Sequence, residues 1–451
     1  MFSSSLSQTN NRLLAKFGHP GRGGVFLYLD DPKISSLDIW NIGLPSSVTV
    51  PLQVFGSQPA VPVVRPGDSV REGMLLASGS KKSVAVHAPI PGTVREITRI
   101  ALPNIPDCPA VIIDFSGSFD SLGKKTQEQS WSSLSATEII DLLDSMGVFE
   151  SSRNNPHFIR HLERLVHNPT DQMNLVLAAF DSDPMLVTEQ AVISKYPKEI
   201  MTGFEIVRSL IPKAKPWIVV NPLTSSKSKW LKNHGNTAMK WYGFTISSEY
   251  PAGNDLFLFK RIRGQEIAHS RELINHGFLS FSPTTLLQIY QAVVQKKPIL
   301  DAICTIAGDA IQKPRVIKTR IGVPLSQVIL ECGKLGKIPD RVVIGETLQG
   351  VPLSSLDTPI SKDSRGFLFL TSEQVQERSE LECIQCGLCS SSCPVGLDPQ
   401  LLHTLLEQNH IKTAKAQGLD LCLGCGICSS VCPSRIPLAK TLWDMKEEAG
   451  V

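Results

Sequence analysis

Eight of the chain's eleven cysteines fall between Cys383 and Cys432, in two runs of one pattern. The first run is Cys383, Cys386, Cys389 and Cys393, followed by Pro394. The second is Cys422, Cys425, Cys428 and Cys432, followed by Pro433. Cysteines scattered along a secreted chain suggest disulfides, whereas thiols crowded at CxxC spacing in a long chain suggest metal. Thiolates three residues apart let one loop offer several donors to the same group. Gly387 and Gly426, inside the runs, permit the backbone to curl tightly around it. The two prolines then turn the chain away.

The spacing CxxCxxCxxxCP is that of bacterial two-cluster ferredoxins, in which the fourth cysteine of each run serves the other cluster. It assigns Cys383, Cys386, Cys389 and Cys432 to one [4Fe–4S] centre, and Cys422, Cys425, Cys428 and Cys393 to a second. The alternative is zinc, whose Cys₄ sites come from two separated CxxC pairs and fit this repeat poorly. Between the runs, Leu401, Leu402, Leu405 and Leu406 recur at helical spacing behind Asp398, a candidate cap. They predict a helix-rich ferredoxin variant with those leucines in its core. Cys108, Cys304 and Cys332 stand alone and are expected to pack as small hydrophobes.

A chain of 451 residues suggests about three domains, and 42% hydrophobic with 19% charged residues is globular composition. The net charge of +3 excludes a dedicated nucleic-acid binder. It is unevenly placed, with six basic against ten acidic residues from Glu373 onward, so the tail carries −4 and the body +7. No apolar stretch is long enough for a membrane-spanning helix, and the first residues lack the pattern of a signal peptide. These features predict a chain without its own transmembrane segment, kept in a reducing, cytoplasmic environment.

Residues 1–115 read as short strands broken by Pro and Gly, including Val48–Leu52, Val61–Val64 and Val84–Val94, and predict a small β-sandwich or barrel. Residues 116–135 are rich in Ser, Gly and Gln and read as a linker. From 136 to 312 helices alternate with strands: helices near 136–146, 156–166 and 185–211, strands at 174–180 and 217–220. That alternation predicts an α/β domain with a largely parallel sheet. Residues 313–372 return to short strands and predict a small α+β module, and 373–451 form the cysteine-bearing tail. The fold class is therefore multidomain α+β, with four domains.

Weaker signals have plain readings. The hairpin from Gly67 to Val94 resembles the barrel-sandwich of lipoyl and biotinyl carriers, with Lys81 near the expected tip. Its flanks match neither carrier, so the expectation is an unmodified sandwich with exposed lysines. His157 and His161 share a helix face without an HExxH pattern and predict no metal site. Lys227, Lys229, Lys260, Arg261 and Arg263 read as ordinary surface able to steer an acidic partner. No P-loop occurs, and no GxGxxG follows a strand.

Taken in order, the sandwich, the α/β middle and the double cysteine run resemble the RnfC family, the C subunits of Rnf-type ion-translocating electron-transport complexes. Gly23-Gly24-Val25 resembles the family's opening Gly-Gly-Val, with Phe26 and Leu27 where a His-Pro pair is usual. Pro62 to Gly73 and His87 to Val94 resemble its sandwich, and Tyr250-Pro251-Ala252-Gly253 its Tyr-Pro-x-Gly turn. Thr305 to Ala310 and Arg320 to Pro324 resemble the entry to a β-grasp module. The resemblance implies an N-terminal barrel-sandwich, a central Rossmann-like domain akin to the flavin- and NADH-binding subunit of respiratory complex I, a β-grasp (SLBB-like) module and a two-cluster ferredoxin domain. It also implies a peripheral subunit on the cytoplasmic face of the bacterial inner membrane, working with the other Rnf subunits and a soluble carrier.

The chain departs from that family where a phosphate-bearing cofactor would sit. In place of a Gly-Leu-Gly-Gly-Ala-x-Phe-Pro loop stands Met146-Gly147-Val148-Phe149-Glu150-Ser151-Ser152, with one glycine. Side chains there obstruct the approach of backbone N–H groups to a phosphate. The family's Glu-x-Glu-Pro is Asp181-Ser182-Asp183-Pro184, and its Gly-Gly-Glu is Gly253-Asn254-Asp255. Shorter acids withdraw their oxygens by about a bond length, enough to spoil hydrogen bonds. FMN and NADH are therefore doubtful ligands, and the sequence assigns no catalytic residue. The expected function is an electron relay between a soluble carrier (flavodoxin, ferredoxin or NADH) and the membrane subunits of an ion-transporting complex. Alternatives are an NADH- and FMN-binding oxidoreductase, a cobalamin-reductase-like flavoprotein, and an assembly protein with structural clusters.

Overall fold

The computed structural model describes residues 14–17, 24–28, 34, 36–119, 128–150, 157–168, 172–221, 241–247, 249–375 and 379–448. Gly23, Ser151, Ser152, Lys227 and Lys229 lie outside them. Among the described residues no helix is long and apolar enough to cross a membrane.

The N-terminal strands form two small sheets. One is ordered Ser47–Pro51, Ile105–Phe115, Gly92–Leu102, Ser69–Val70, the other Val61–Pro62, Leu75–Ser78, Val86–His87. Alternate residues point inward, so Val48, Val50, Leu76, Val94, Val111 and Ile113 close one apolar core. Lys81 sits on the exposed two-residue turn between Ser80 and Ser83, which bridge one another.

The middle sheet is wholly parallel, in the order Tyr242–Thr245, Lys215–Val220, Asn174–Ala178, Phe278–Phe281. Both faces are covered, as a parallel sheet requires. Leu175 and Leu177 pack in the main core with Phe204 and Leu286 from helices Pro197–Leu210 and Pro283–Val293. Val176 and Ala178 face Leu258 and Phe259 of helix Asp255–Arg263. The single helix expected over 185–211 is two, Thr188–Lys195 and Pro197–Leu210. Pro197 lacks an N–H and starts a new helix at its first position. The second half of the expected linker is fastened to the domain: Gln129 N–H donates to the Val294 carbonyl at 2.9 Å, and Tyr290 Oη to Glu128 at 2.6 Å.

A six-stranded mixed sheet follows, ordered Val351–Pro352, Arg341–Ile344, Gly366–Leu370, Asp301–Ala307, Arg315–Arg320, Ile39–Asn41. Helix Leu325–Glu331 buries Leu325, Val328 and Ile329 in the same core. Two strands come from outside 313–372: Asp301–Ala307 lies at the sheet's centre, and Ile39–Asn41 is an edge strand from the N-terminal block. Cys304 and Cys332 are fully buried here, as Cys108 is in the sandwich.

A buried ion network joins sandwich and sheet. Arg320 reaches Glu72 at 2.5 Å and Asp301 at 3.0 Å, while Lys318 and Lys297 hold Asp301 at 3.1 and 3.3 Å. Burial pushes the Asp301 carboxyl up, but Lys318, Arg320 and Lys297 outweigh it and hold it at about 2. Because Glu72 is one of two carboxylates on a buried guanidinium, and Asp301 is left shared among three cations, Glu72→Ala is expected to destabilise the fold by about 2 kcal/mol. Urea unfolding followed by circular dichroism checks this, and a midpoint equal to wild type contradicts it.

Candidate iron-sulfur site and the crevice beside it

The tail is helical, as the leucine spacing predicts. Helix Pro399–Glu407 starts at Asp398, whose side chain accepts the Leu401 N–H at 3.2 Å. Leu402 and Leu406 are buried with Leu397, Ala414, Leu419 and Leu442, and Leu405 packs against them. Leu401 points outward, because positions one apart on a helix face different directions.

Each cysteine run ends in a short helix, Leu388–Ser392 or Ile427–Ser430, preceded by a glycine in the left-handed region. The two helices pack together, and the flanks of the runs are tied. Leu381 N–H donates to the Ser434 carbonyl at 2.9 Å, and Ser434 Oγ to the Glu382 carbonyl at 2.8 Å. The start of the first run therefore lies beside the end of the second, which brings Cys383 toward Cys432. Cys393, from the first run, lines one pocket with Cys422, Cys425 and Cys428 of the second. Leu397, Ile427 and Leu442 supply its apolar walls. Leu397 N–H points at Cys393 Sγ (3.3 Å) and Gly424 N–H at Cys422 Sγ (3.5 Å).

Burial pushes the thiols of Cys422, Cys425 and Cys428 up, Cys425 to about 12, and neighbouring cysteines including Cys393 add to it. Such thiols stay protonated unless a cation takes the proton's place, which is the chemistry of iron ligands. Among the described residues no group of three or more Cys, His, Asp or Glu side chains gathers as it would around a single metal ion. Four thiols around a shared, apolar-walled pocket fit the donor set of a cluster. Cys383 and Cys386 are exposed, and Cys389 and Cys432 half-buried.

The second run is seated on the body by segments the sequence singled out. Val25 and Tyr250 exchange backbone hydrogen bonds at 3.0 and 2.8 Å, and Tyr250 Oη donates to the Cys425 carbonyl at 3.0 Å. Gln349 Nε2 donates to the Gly424 carbonyl at 3.1 Å, and Gly24 N–H to that of Ser392 at 2.9 Å. Val25, Tyr250 and Ile427 are buried together against Leu348.

Behind Tyr250 lies the crevice at the C-terminal end of the parallel sheet, where the other motif residues meet. Asn254 caps helix Asp255–Arg263 through the Leu256 N–H at 3.0 Å, and Ser280 Oγ donates to Asp255 at 2.5 Å. Asp183 accepts from Met185 N–H (2.8 Å), Thr347 N–H (2.6 Å) and Thr347 Oγ1 (2.9 Å). Burial, with Glu346 nearby, raises its carboxyl to about 6. Sequence reasoning missed Glu150 as a buried acid, and Glu189, Arg365 and Lys362 altogether. Glu150, Glu189 and Lys362 are buried and Arg365 half-buried, and charged residues carry no local sign of being turned inward. His161 is held low, at about 4, by burial and by Arg164.

The arrangement defines a class: an iron–sulfur protein whose helical tail is mounted on a barrel-sandwich and two further α/β layers. The RnfC Barrel sandwich hybrid domain family matches residues 21–118, and the 4Fe-4S dicluster domain family matches residues 379–436. The C subunit of the proton-translocating ferredoxin:NAD(+) oxidoreductase complex of Clostridium ljungdahlii is 26% identical, over 88% of this chain and 86% of its own length. The C subunit of the ion-translocating oxidoreductase complex of Rhodobacter capsulatus is 25% identical, over 88% and 77%. That of Serratia proteamaculans is 28% identical over 80% of this chain and about half (51%) of its own length. A chain of an NAD⁺-reducing [NiFe]-hydrogenase shares the fold at a TM-score of 0.50 and 11% identity, over 70% of this chain and 64% of that one. The chain is thus a relative, over most of its length, of the RnfC subunits of ion-translocating oxidoreductase complexes, as its motifs imply.

Two outcomes follow from this geometry. A Cβ on Gly426 (φ +81°) would stand 2.6 Å from the Leu348 carbonyl oxygen, whereas one on Gly387 (φ +71°) meets nothing within 4 Å. Gly426→Ala is expected to cost about 2–4 kcal/mol and Gly387→Ala about 1–2, read by denaturant unfolding of anaerobically prepared protein. Equal costs would contradict the seat at Leu348. For Asp183, the unfolded chain releases its proton near 3.8 and the folded chain near 6. Wild type should therefore lose about 2 kcal/mol relative to Asp183→Asn as pH rises from 3.8 to 6. Unfolding free energies of both proteins across that window check the sign.

Proposed function

We propose that the chain is an electron-relay subunit of an Rnf-type membrane complex, passing electrons between a soluble low-potential carrier and the membrane subunits through two [4Fe–4S] clusters. In this reading Cys383, Cys386, Cys389 and Cys432 hold one cluster, and Cys422, Cys425, Cys428 and Cys393 the other. The observation that carries it is the pocket shared by Cys393 and the three cysteines of the opposite run. A ligand crossing from one run to the other is what two-cluster ferredoxins require.

When bound, each cluster accepts and returns one electron; the rest of the work falls to the chain. Leu397 and Gly424 N–H groups point at the sulfurs of Cys393 and Cys422, and would raise the potential of a cluster held there by stabilising added negative charge. Lys446 Nζ donates to the carbonyls of Asp420 and Cys422 at 2.7 and 2.9 Å, placing a positive charge behind the second run. Leu397, Ile427 and Leu442 keep water from that side. The first run, with Cys383 and Cys386 exposed, offers the shorter path to a partner.

The strand orders support reading 136–312 as Rossmann-like and 313–372, extended by Asp301–Ala307, as a β-grasp module. The order 3-2-1-4 of the parallel sheet is that of nucleotide-binding α/β folds. The relatives' names support membership of a multi-subunit translocating complex, and attachment at its cytoplasmic face is part of this reading. The basic body, at +7, suits an acidic carrier such as flavodoxin or ferredoxin.

Anaerobic purification with iron and sulfide analysis tests the reading, and about eight of each per chain is expected. Cys393→Ser should remove the paramagnetic signal of the second-run cluster, and Cys432→Ser that of the first. Stoichiometric zinc, or one signal lost in both variants, overturns it.

A further inference from the structure

We infer that the crevice of the parallel sheet is closed to any phosphate-bearing cofactor, because the chain's own carboxylates occupy the seats a phosphate would take. One relative's name includes NAD(+), and sheets of this strand order commonly hold a nucleotide or flavin at this crevice. The residues present do not fit one.

In sheets of this strand order the cofactor lies at the C-terminal ends of the central strands, where the order reverses. Here those are Asn174–Ala178 and Phe278–Phe281. The grip on phosphate comes from the unpaired N–H groups of the helices that follow. Helix Pro283–Val293 has none to spare in its first turn. The Ser282 N–H donates to Glu150 at 2.9 Å, Thr284 N–H to Glu189 at 2.9 Å, and Thr285 N–H to Ser282 Oγ at 3.2 Å. At helix Thr188–Lys195 the N–H groups of Glu189 and Gln190 donate to the two oxygens of Asp181, at 3.0 and 3.1 Å.

These three acids are all but fully buried, and the charge of Arg365 faces each of them together with Glu346. A phosphate entering here would add like charge, and it would have to strand carboxylates in a dry interior. The described part of the loop that carries glycines in the family, Met146 to Glu150, is packed away as well. Its one glycine, Gly147, lies at φ +71° with the position of a Cβ only 2.3 Å from the Ala85 carbonyl oxygen. Lys362 Nζ donates to the carbonyls of Gly147 (3.1 Å) and Ala85 (2.7 Å). The glycine thus serves packing against the sandwich, and its own backbone is covered by Ala85 and Lys362. The middle domain is packed against both sandwich and tail.

Closure of the crevice is independent of the cluster assignment and is tested separately. FMN and NADH are titrated into the full anaerobic chain and followed by fluorescence. No saturable binding up to millimolar concentration is expected, and one equivalent bound in the micromolar range overturns the proposal. In a second arm, Glu150→Ala frees the Ser282 N–H. Its lowered Tm should be partly restored by added acetate, with wild type shifting less; a variant restored no more than wild type also overturns it. Should that variant fail to fold, Glu189→Ala frees the Thr284 N–H of the same helix and gives the same readout.

Discussion

The body is organised around a half-buried cation at the seam of its two larger sheets. Arg365 stands at the start of the strand Gly366–Leu370, and its charge meets Glu346, Glu189, Asp181 and Glu150. Each acid comes from a different segment: the loop after the first helix, the end of the first parallel strand, the helix after it, and the loop 345–350. A guanidinium drawn partly out of water needs compensating charge, so Arg365 ties loop 345–350 to its own strand through Glu346 and favours the three other acids beside it. Loop 345–350 in turn holds Leu348 and Gln349 against Gly426 and Gly424 of the second cysteine run. The position of the tail on the body thus follows from the seam between the parallel and mixed sheets.

The two cysteine runs differ in surroundings although their sequences nearly match. The second rests on Tyr250, Leu348 and Val25 and shares its pocket with Cys393, while the first keeps Cys383 and Cys386 in solvent. On the proposed reading one centre is anchored and shielded, and the other faces outward. The charge partition agrees with this division, since a −4 tail on a +7 body gives a partner an oriented field to dock in.

Features written in local pattern could be read from the sequence: the double cysteine run, the short β-branched strands of the sandwich, the alternation that makes the parallel sheet, and Asp398 as a cap. Features that depend on distant pairing could not. Ile39–Asn41 joins Arg315–Arg320 across most of the chain, and Asp301–Ala307 carries no mark of which sheet it enters. The acids at the crevice were the least legible. Glu150 and Glu189 look like surface residues, and only the fold turns them inward to the N–H groups of Ser282 and Thr284. The shortened acids Asp181 and Asp183 hinted at altered chemistry. Their partners show it as internal capping rather than weakened cofactor contact.

The most direct measurement is electron paramagnetic resonance of the anaerobically prepared, dithionite-reduced chain, with spin integration and a parallel sample poised at intermediate potential. The account predicts about two cluster spins per chain, broadened by their mutual interaction, and no flavin radical at any potential. A flavin radical, or a spectrum without cluster spins, would contradict it.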